Sequence, residues 1–306
     1  MIDASRLLDG KKMASDIRAE LRWKVEALVK SGQRPPHLAA ILVGNHGPSE
    51  VYVGHKIRAC EEVGITSSKL YYPETISEEQ LLEEIDKVNE DDSIDGLIVQ
   101  LPLPDHIKAD TLINRILPEK DVDGFHPVNF GRMVQSLPTH VPATPLGIME
   151  MIKRANIEVV GKHCVVVGRS RIVGSPISIL MSRRRFGYPG GATTTLTHRF
   201  TSNLADYTRQ ADILITAVGK PSLITGDMVK EGVICIDVGI ERVPDASKKS
   251  GFALKGDIEF ETVAPKAQLI TPVPGGVGPM TIAGLLMNTL HAALGEVYTR
   301  EYSYDD

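Results

Sequence analysis

A chain of 306 residues, 42% of them hydrophobic, can bury a full core, and its length fits two medium domains better than one large one. A net charge of -5 and a pI near 6.0 leave no electrostatic footprint for nucleic acid, and the basic run Arg183 to Arg185 is too short to change that. No apolar run approaches the roughly 18 residues that span a bilayer, and the N-terminus has no signal-peptide core, so a soluble protein with no membrane partner is expected.

The three cysteines, Cys60, Cys164 and Cys235, lie far apart without CxxC spacing and read as buried thiols of a reducing, cytoplasmic compartment. Nine histidines are scattered without metal-ligand spacing, and no metal site is expected.

In chain order, helical and strand-like segments alternate, the mark of an α/β fold with parallel sheets. The first half reads as a helix at 11–30, a strand at 38–43, a helix at 48–63, a strand at 69–72, a helix at 78–89, a strand at 96–101 and a helix near 108–117. In the first helix Met13, Ile17, Leu21 and Val25 recur every four residues and form one apolar stripe. The segment Lys120 to Thr144 has weak periodicity and reads as a long loop of the functional kind, leading to a helix near 145–154. A second α/β set follows, with strands at 163–167, 193–196, 213–217 and 233–238, then a last helix at 280–294 and an acidic tail, Glu301 to Asp306, expected to fray.

Chemistry is suggested at four places. The run TPVPGGVGPMT, Thr271 to Thr281, combines fixed φ at proline with missing side chains at glycine, which describes either a pinned backbone close to a ligand or a stiff connector. After the strand 163–167, Gly168-Arg169-Ser170 precede a helix beginning near Val173 or Gly174. That arrangement lets backbone N–H groups and the helix dipole receive phosphate, or is an ordinary tight turn. Tyr52 and Lys56 stand i, i+4 on one helix face, where a ring can stack on a flat ligand while the amine reaches its reactive atom; an arbitrary pair at this spacing is a partly buried ring beside a solvated lysine. Gln100 ends the strand 96–101 at the edge where an open α/β sheet binds ligands, or is a satisfied core amide. Nearby, Asp121 and Asp123 share the turn D-V-D-G, and Asp121 reads as a turn former.

Five ordered segments, YVGHK from Tyr52, GLIVQLPLP from Gly96, KDVDGFHP from Lys120, GRSRIVGSP from Gly168 and TPVPGGVGPMT from Thr271, closely resemble the signatures of the bifunctional methylenetetrahydrofolate dehydrogenase/methenyltetrahydrofolate cyclohydrolase family. The resemblance runs from about Leu8 to about Leu290. It implies two α/β domains with a cleft between them, the second a Rossmann-like doubly wound parallel sheet. A folate-binding catalytic domain would comprise residues 1–144 and 280–306, its last helix packing back onto it, and a dinucleotide-binding domain residues 145–279. A cytoplasmic homodimer joined through the nucleotide domains is expected.

The resemblance also implies roles. Lys56 and Gln100 are the expected catalytic pair, Gln100 orienting the amine; Tyr52 serves catalysis and stacks on the substrate; Asp123 hydrogen-bonds the pterin ring; Pro272, Gly275 and Gly276 complete the folate contacts. Gly168, Arg169, Ser170, Arg199 and Ile240 are expected at the coenzyme, with the backbone of Ile240 near the nicotinamide. Arg169, Ser170 and Arg199 suit the 2′-phosphate of NADP, and no Asp or Glu occupies the end of the strand 193–196. NAD-using members keep both arginines and add a nearby Asp beside a magnesium ion. Here Ala192 follows Pro189-Gly190-Gly191 directly, so NADP is favoured. The implied activity is oxidation of 5,10-methylenetetrahydrofolate to the 5,10-methenyl cation with NADP+, then hydrolysis to 10-formyltetrahydrofolate, in which Lys56 activates water. The alternatives are an NAD-dependent or dehydrogenase-only member, or a non-catalytic folate- or nucleotide-binding protein, against which the intact Tyr52, Lys56, Gln100 and Asp123 argue.

Overall fold

In the computed structural model, which describes residues 3–44, 47–183, 187–248 and 251–298, strands and helices alternate over nearly the whole chain. Arg184 and Arg185 of the basic run, and the tail Glu301 to Asp306, lie outside those residues. The elements are α1 (Gly10–Lys30), β1 (His37–Val43), α2 (Gly47–Val63), β2 (Thr66–Tyr72), α3 (Glu78–Glu90), β3 (Gly96–Val99), α4 (Ala109–Arg115), α5 (Pro127–Val134) and α6 (Ala143–Arg154). They continue with β4 (His163–Val167), α7 (Gly174–Ser182), β5 (Thr193–Thr197), α8 (Leu204–Thr208), β6 (Ile213–Thr216), β7 (Ile234–Asp237), β8 (Glu241–Pro244), β9 (Phe252–Lys255), α9 (Phe260–Val263), β10 (Leu269–Ile270) and α10 (Val277–Ala293). Two compact units result, one of Ser15–Ala143 with Ile282–Asp306, the other of Met1–Ala14 with Thr144–Thr281.

The first unit is built on a parallel sheet ordered β2-β1-β3. Leu38 to Val43 of β1 and all of β3 are buried, the continuous apolar pattern of parallel strands covered on both faces. Ile17, Leu21, Val25 and Leu28 form the buried stripe of α1, each contributing about 1.5–3 kcal/mol by leaving water, while Met13 is only half-buried. Ser77 and Gln80 close a capping box at the start of α3, whose Leu81, Ile85 and Val88 pack on Ile41, Leu97 and Val99.

The segment expected as one long loop contains the helix α5. Asp121 organises its approach by accepting from the backbone N–H groups of Phe125 and His126 and from Asn129 Nδ2, at 3.2, 2.8 and 2.8 Å. Pro127 then opens α5 with its φ already helical, and the His126 ring caps the Val128 N–H. Leu97 N donates to Lys120 O at 2.7 Å, tying the segment to the edge of β3. From the other direction Asn288 Nδ2 of α10 donates to the carbonyls of Val122 and Val141, both at 2.8 Å.

The second unit carries a parallel sheet ordered β10-β7-β6-β4-β5, covered on its interior by Val165, Val167, Leu214 and Cys235 among others. Strand order reverses at β4, with β5 on one side and β6 on the other, so the C-terminal end of β4 is the topological switch point of a doubly wound sheet. Two features depart from simple alternation. Strands β8 and β9 pair antiparallel as a separate hairpin, and the N-terminal segment belongs to this unit, Leu8 N donating to Ile270 O and Lys11 N to Gly275 O.

Candidate functional site

The crossover from β1 to β2 places α2 just beyond the C-terminal end of the central strand, and on that helix Tyr52 and Lys56 share one face. Lys56 Nζ sits 5.0 Å from the Tyr52 ring centroid and donates to Gln100 Oε1 at 3.3 Å. Gln100 follows β3, its own N–H bound to Ile41 O, and its Nε2 donates to Leu101 O at 2.7 Å, which fixes the carbonyl oxygen toward the amine. Lys56 is only 6% exposed, unusual for a lysine and opposite to a solvated surface residue. Gln100 is accordingly one half of a polar pair with Lys56.

Asp123 joins them from the 120–124 turn. Gly124 has φ +76, and a Cβ there would lie 2.6 Å from Pro142 N, so only glycine turns the chain at this point. Asp123 is 9% exposed, and burial pushes its carboxyl above the usual carboxylate range, opposed by the charge of Lys56. Among the described residues no donor hydrogen-bonds that carboxylate. Its neighbour Asp121 is saturated by three protein donors and is the turn former. Burial, helped by the charge of Asp123, also pushes the Tyr52 phenol up to about 12, keeping it protonated at neutral pH. The first unit thus assembles a buried amine, an amide aimed at it, an aromatic ring and a carboxylate with acceptor capacity to spare.

In the second unit the loop after β4 is a close-fitting cradle. Gly168 has φ +109 and a Cβ on it would lie 2.2 Å from Ala217 O; one on Gly174 would lie 1.9 Å from Gly168 O. Ser170 Oγ accepts from the N–H groups of Val173 and Gly174 at 3.1 and 3.3 Å, holding the start of α7. Arg169, Ser170 and Arg199 are exposed, and among the described residues neither guanidinium has a carboxylate partner or a side-chain hydrogen bond. Ile240, 53% exposed, follows the end of β7. Ala192 is only 6% exposed and its N–H is bound to Met181 O, so this position presents no side chain to a ligand.

The TPVPGG run follows β10. Its glycines meet protein: a Cβ on Gly10 would lie 1.8 Å from Gly276 O, and Gly275, at φ +107, accepts from Lys11 N. Val273 and Pro274, and not Pro272, Gly275 or Gly276, line a cavity of about 520 Å³ together with Asp237, Gly256, Phe252 and Phe260. The rigidity of this run is therefore explained in part by close backbone packing.

Two sets of residues had no motif to announce them. Asp237 is buried and accepts from Thr216 Oγ1 and the N–H groups of Gly239, Asp257 and Ile258; Asp257 accepts from Val218 N and Lys220 N. Together they fix the loops after β6 and β7; Asp237 is the last residue of β7, and Asp257 follows Gly256 just after β9. The other is Phe200, 65% exposed beside both arginines, which a large apolar residue in a polar turn could have signalled.

Residues 8–123 match the model of the tetrahydrofolate dehydrogenase/cyclohydrolase catalytic domain, and residues 142–297 that of the tetrahydrofolate dehydrogenase/cyclohydrolase NAD(P)-binding domain. The chain belongs to the tetrahydrofolate dehydrogenase/cyclohydrolase family. It is 58% identical to the bifunctional protein FolD of Cytophaga hutchinsonii over 288 residues, 94% of this chain and 99% of that protein. Among solved structures, the bifunctional FolD methylenetetrahydrofolate dehydrogenase/cyclohydrolase of Campylobacter jejuni is 46% identical with a TM-score of 0.89, covering 94% of this chain and 98% of that one. The Trypanosoma brucei methylenetetrahydrofolate dehydrogenase-cyclohydrolase, solved with NADP cofactor and an inhibitor, is 36% identical, also with a TM-score of 0.89, over 96% and 98%. The chain is accordingly a tetrahydrofolate dehydrogenase and cyclohydrolase.

Proposed function

We propose that the chain oxidises 5,10-methylenetetrahydrofolate to 5,10-methenyltetrahydrofolate with NADP+ and hydrolyses that product to 10-formyltetrahydrofolate, with Lys56 activating the water of the second step. The observation that carries the assignment is the buried Lys56 amine, braced by Gln100 and capped by the Tyr52 ring, beside the unpartnered carboxylate of Asp123.

When bound, NADP+ supplies the hydride acceptor. The chain's residues fit it: Gly168 and Gly174 let the loop close tightly on the backbone of Ala217 and on itself before α7, Ser170 holds the helix start, and Arg169 and Arg199 offer two guanidiniums that have no carboxylate partner among the described residues. Ile240 is proposed to stand at the nicotinamide and Pro272, Gly275 and Gly276 at the folate. The buried Ala192 supports NADP over NAD, because an acidic side chain is absent where NAD-using relatives were expected to carry one.

Asp123 accepts paired N–H donors of the pterin ring and Tyr52 stacks on it, holding the one-carbon bridge at Lys56. Oxidation requires no protein acid at carbon, since a folate nitrogen lone pair expels the hydride; positioning provides most of the catalysis. Hydrolysis requires proton traffic, and Lys56, oriented by Gln100, activates the attacking water and hands protons on as the ring opens. The residues 1–144 with 280–306 form the proposed folate-binding part and 145–279 the nucleotide-binding part, and the enzyme acts as a cytoplasmic homodimer joined through the latter. Buried, reduced Cys60, Cys164 and Cys235 fit that compartment, and among the described residues no helix is long and apolar enough to cross a membrane.

Initial rates with NADP+ and with NAD+, with and without phosphate and magnesium, following methenyltetrahydrofolate formation and decay, test this reading. Faster turnover with NAD+ under any of these conditions overturns the coenzyme assignment; formation without decay overturns the cyclohydrolase.

A further inference from the structure

The aromatic ring of Phe200 is the least expected feature of the nucleotide-binding unit. It is 65% exposed, where burial of a phenylalanine is the norm. It is nonetheless firmly placed. His198 and Thr201 close the turn around it: Thr201 N donates to His198 O at 2.8 Å, His198 N to Thr201 Oγ1 at 3.0 Å, and Phe200 N to His198 Nδ1 at 3.2 Å. The His198 ring then meets Phe200 edge to face at 6.0 Å.

Over this one ring lie both guanidiniums. Arg199 Cζ is 4.7 Å and Arg169 Cζ 5.9 Å from its centroid, although the two residues come from different loops, after β5 and after β4. Two cations gathered without a counter-ion repel each other, and among the described residues neither finds a carboxylate. The negative face of the Phe200 ring attracts both without carrying a charge. Unlike a carboxylate, it leaves their N–H donors free for a ligand, and it adds no charge that would repel an anion.

From this geometry we infer that Phe200 is a positioning residue for coenzyme discrimination: its ring holds Arg169 and Arg199 together, before coenzyme binds, in a pair able to clasp the 2′-phosphate. This rests on the assignment of the two arginines to that phosphate. The ring acts through the guanidiniums and contributes selectivity for the phosphorylated coenzyme, not general affinity for the adenosine.

The test is a set of full-length variants compared by steady-state dehydrogenase kinetics at fixed methylenetetrahydrofolate. Phe200→Leu keeps apolar bulk and removes the π face; it is expected to raise the KM for NADP+ by about three- to tenfold, the loss of contacts of cation–π strength, while changing the KM for NAD+ by less than about twofold. Phe200→Trp restores the face and is expected to return the KM for NADP+ to the wild-type value. Because the side chain is exposed, folding is not at stake, and thermal melts verify that. Arg199→Ala runs in parallel and is expected to raise the KM for NADP+ about tenfold or more. A raised KM in Arg199→Ala with an unchanged one in Phe200→Leu overturns the role of the ring and leaves the phosphate site standing. Equal losses for both coenzymes in Phe200→Leu make the ring an adenosine platform and overturn the inference. No effect of Arg199→Ala overturns the phosphate site and the inference with it.

Discussion

Lys56 Nζ donates to Gln100 Oε1 at 3.3 Å, and the Gln100 amide is held in that orientation by its own donation to Leu101 O. The pair joins a helix to a strand end 44 residues further along the chain, so the position of the amine is set by two elements and not by one flexible side chain. A buried amine with an acceptor on one side and an aromatic ring on another has few orientations left, which is what a proton-handling group requires.

Lys56→Ala is expected to reduce methenyltetrahydrofolate hydrolysis by about a hundredfold or more, the usual scale of a lost general acid or base. Lys56→Arg is expected to fail as well, because guanidinium stays protonated near neutrality. Decay of methenyltetrahydrofolate absorbance measures both, and a Lys56→Ala enzyme that hydrolyses at the wild-type rate removes Lys56 from the mechanism.

Asp123→Asn exchanges an acceptor-only group for an amide that presents N–H donors to the pterin N–H groups. The KM for folate should rise about tenfold or more, given about 1.5–3 kcal/mol for a hydrogen bond to a charged group, while the KM for NADP+ stays near wild type. Burial already penalises the charged form of Asp123, so its melting temperature should not fall. Lower stability with unchanged folate kinetics would return Asp123 to a purely structural turn.

Gly168→Ala asks whether the cradle tolerates a methyl group. With φ at +109 and Ala217 O only 2.2 Å from the new Cβ, the loop must move, and the variant should lose NADP+ binding and melt at lower temperature. A crystal structure with an unmoved loop, or unchanged coenzyme affinity by calorimetry, contradicts the fit described above.

Asp237 provides a pH test. Its carboxyl is raised from 3.8 to about 6, chiefly by burial, with the nearby Asp257 charge adding to the rise and hydrogen bonds from Ile258, Asp257 and Thr216 opposing it. A carboxyl raised in the folded state costs stability where it must carry charge, above about pH 6, and that cost disappears as pH falls toward 4. The difference amounts to about 3 kcal/mol. Melting temperatures of the native chain should therefore gain on those of Asp237→Asn between pH 7.5 and pH 4.5; parallel profiles would show that the hydrogen bonds outweigh burial.

Much of this architecture could be read without coordinates. The apolar runs of β1, β3 and β4 are long enough to name themselves, and the four-residue stripe of α1 fixes its buried face. The β8–β9 hairpin was hidden because Glu241–Pro244 is largely exposed and Phe252–Lys255 largely half-buried, with no clean alternation in either. Helix α5 was hidden by Pro127 and Gly131, residues that ordinarily break a helix and here open it or sit on its surface. At the site, Lys56, Gln100 and Asp123 were legible because each lies in a dense motif, whereas Asp237 and Asp257 act largely through partners distant in sequence, and Phe200 through Arg169 of another loop as well as its neighbour Arg199. Partners of that kind leave no local pattern.

The pairing of Leu7 with Ile270, and of Asn288 with the carbonyls of Val122 and Val141, means that each unit is closed by residues made well after the segments they hold. During synthesis from the N-terminus, the first sheet can form early, but its loop at Val122 stays unlatched until Asn288 leaves the ribosome. The second sheet must likewise wait for Ile270 before the N-terminal segment has anything to pair with. A chain interrupted just before Ile270 would carry Lys56, Gln100 and Asp123 and yet have neither unit sealed, so premature termination there should yield a target for proteolysis and not a partial enzyme.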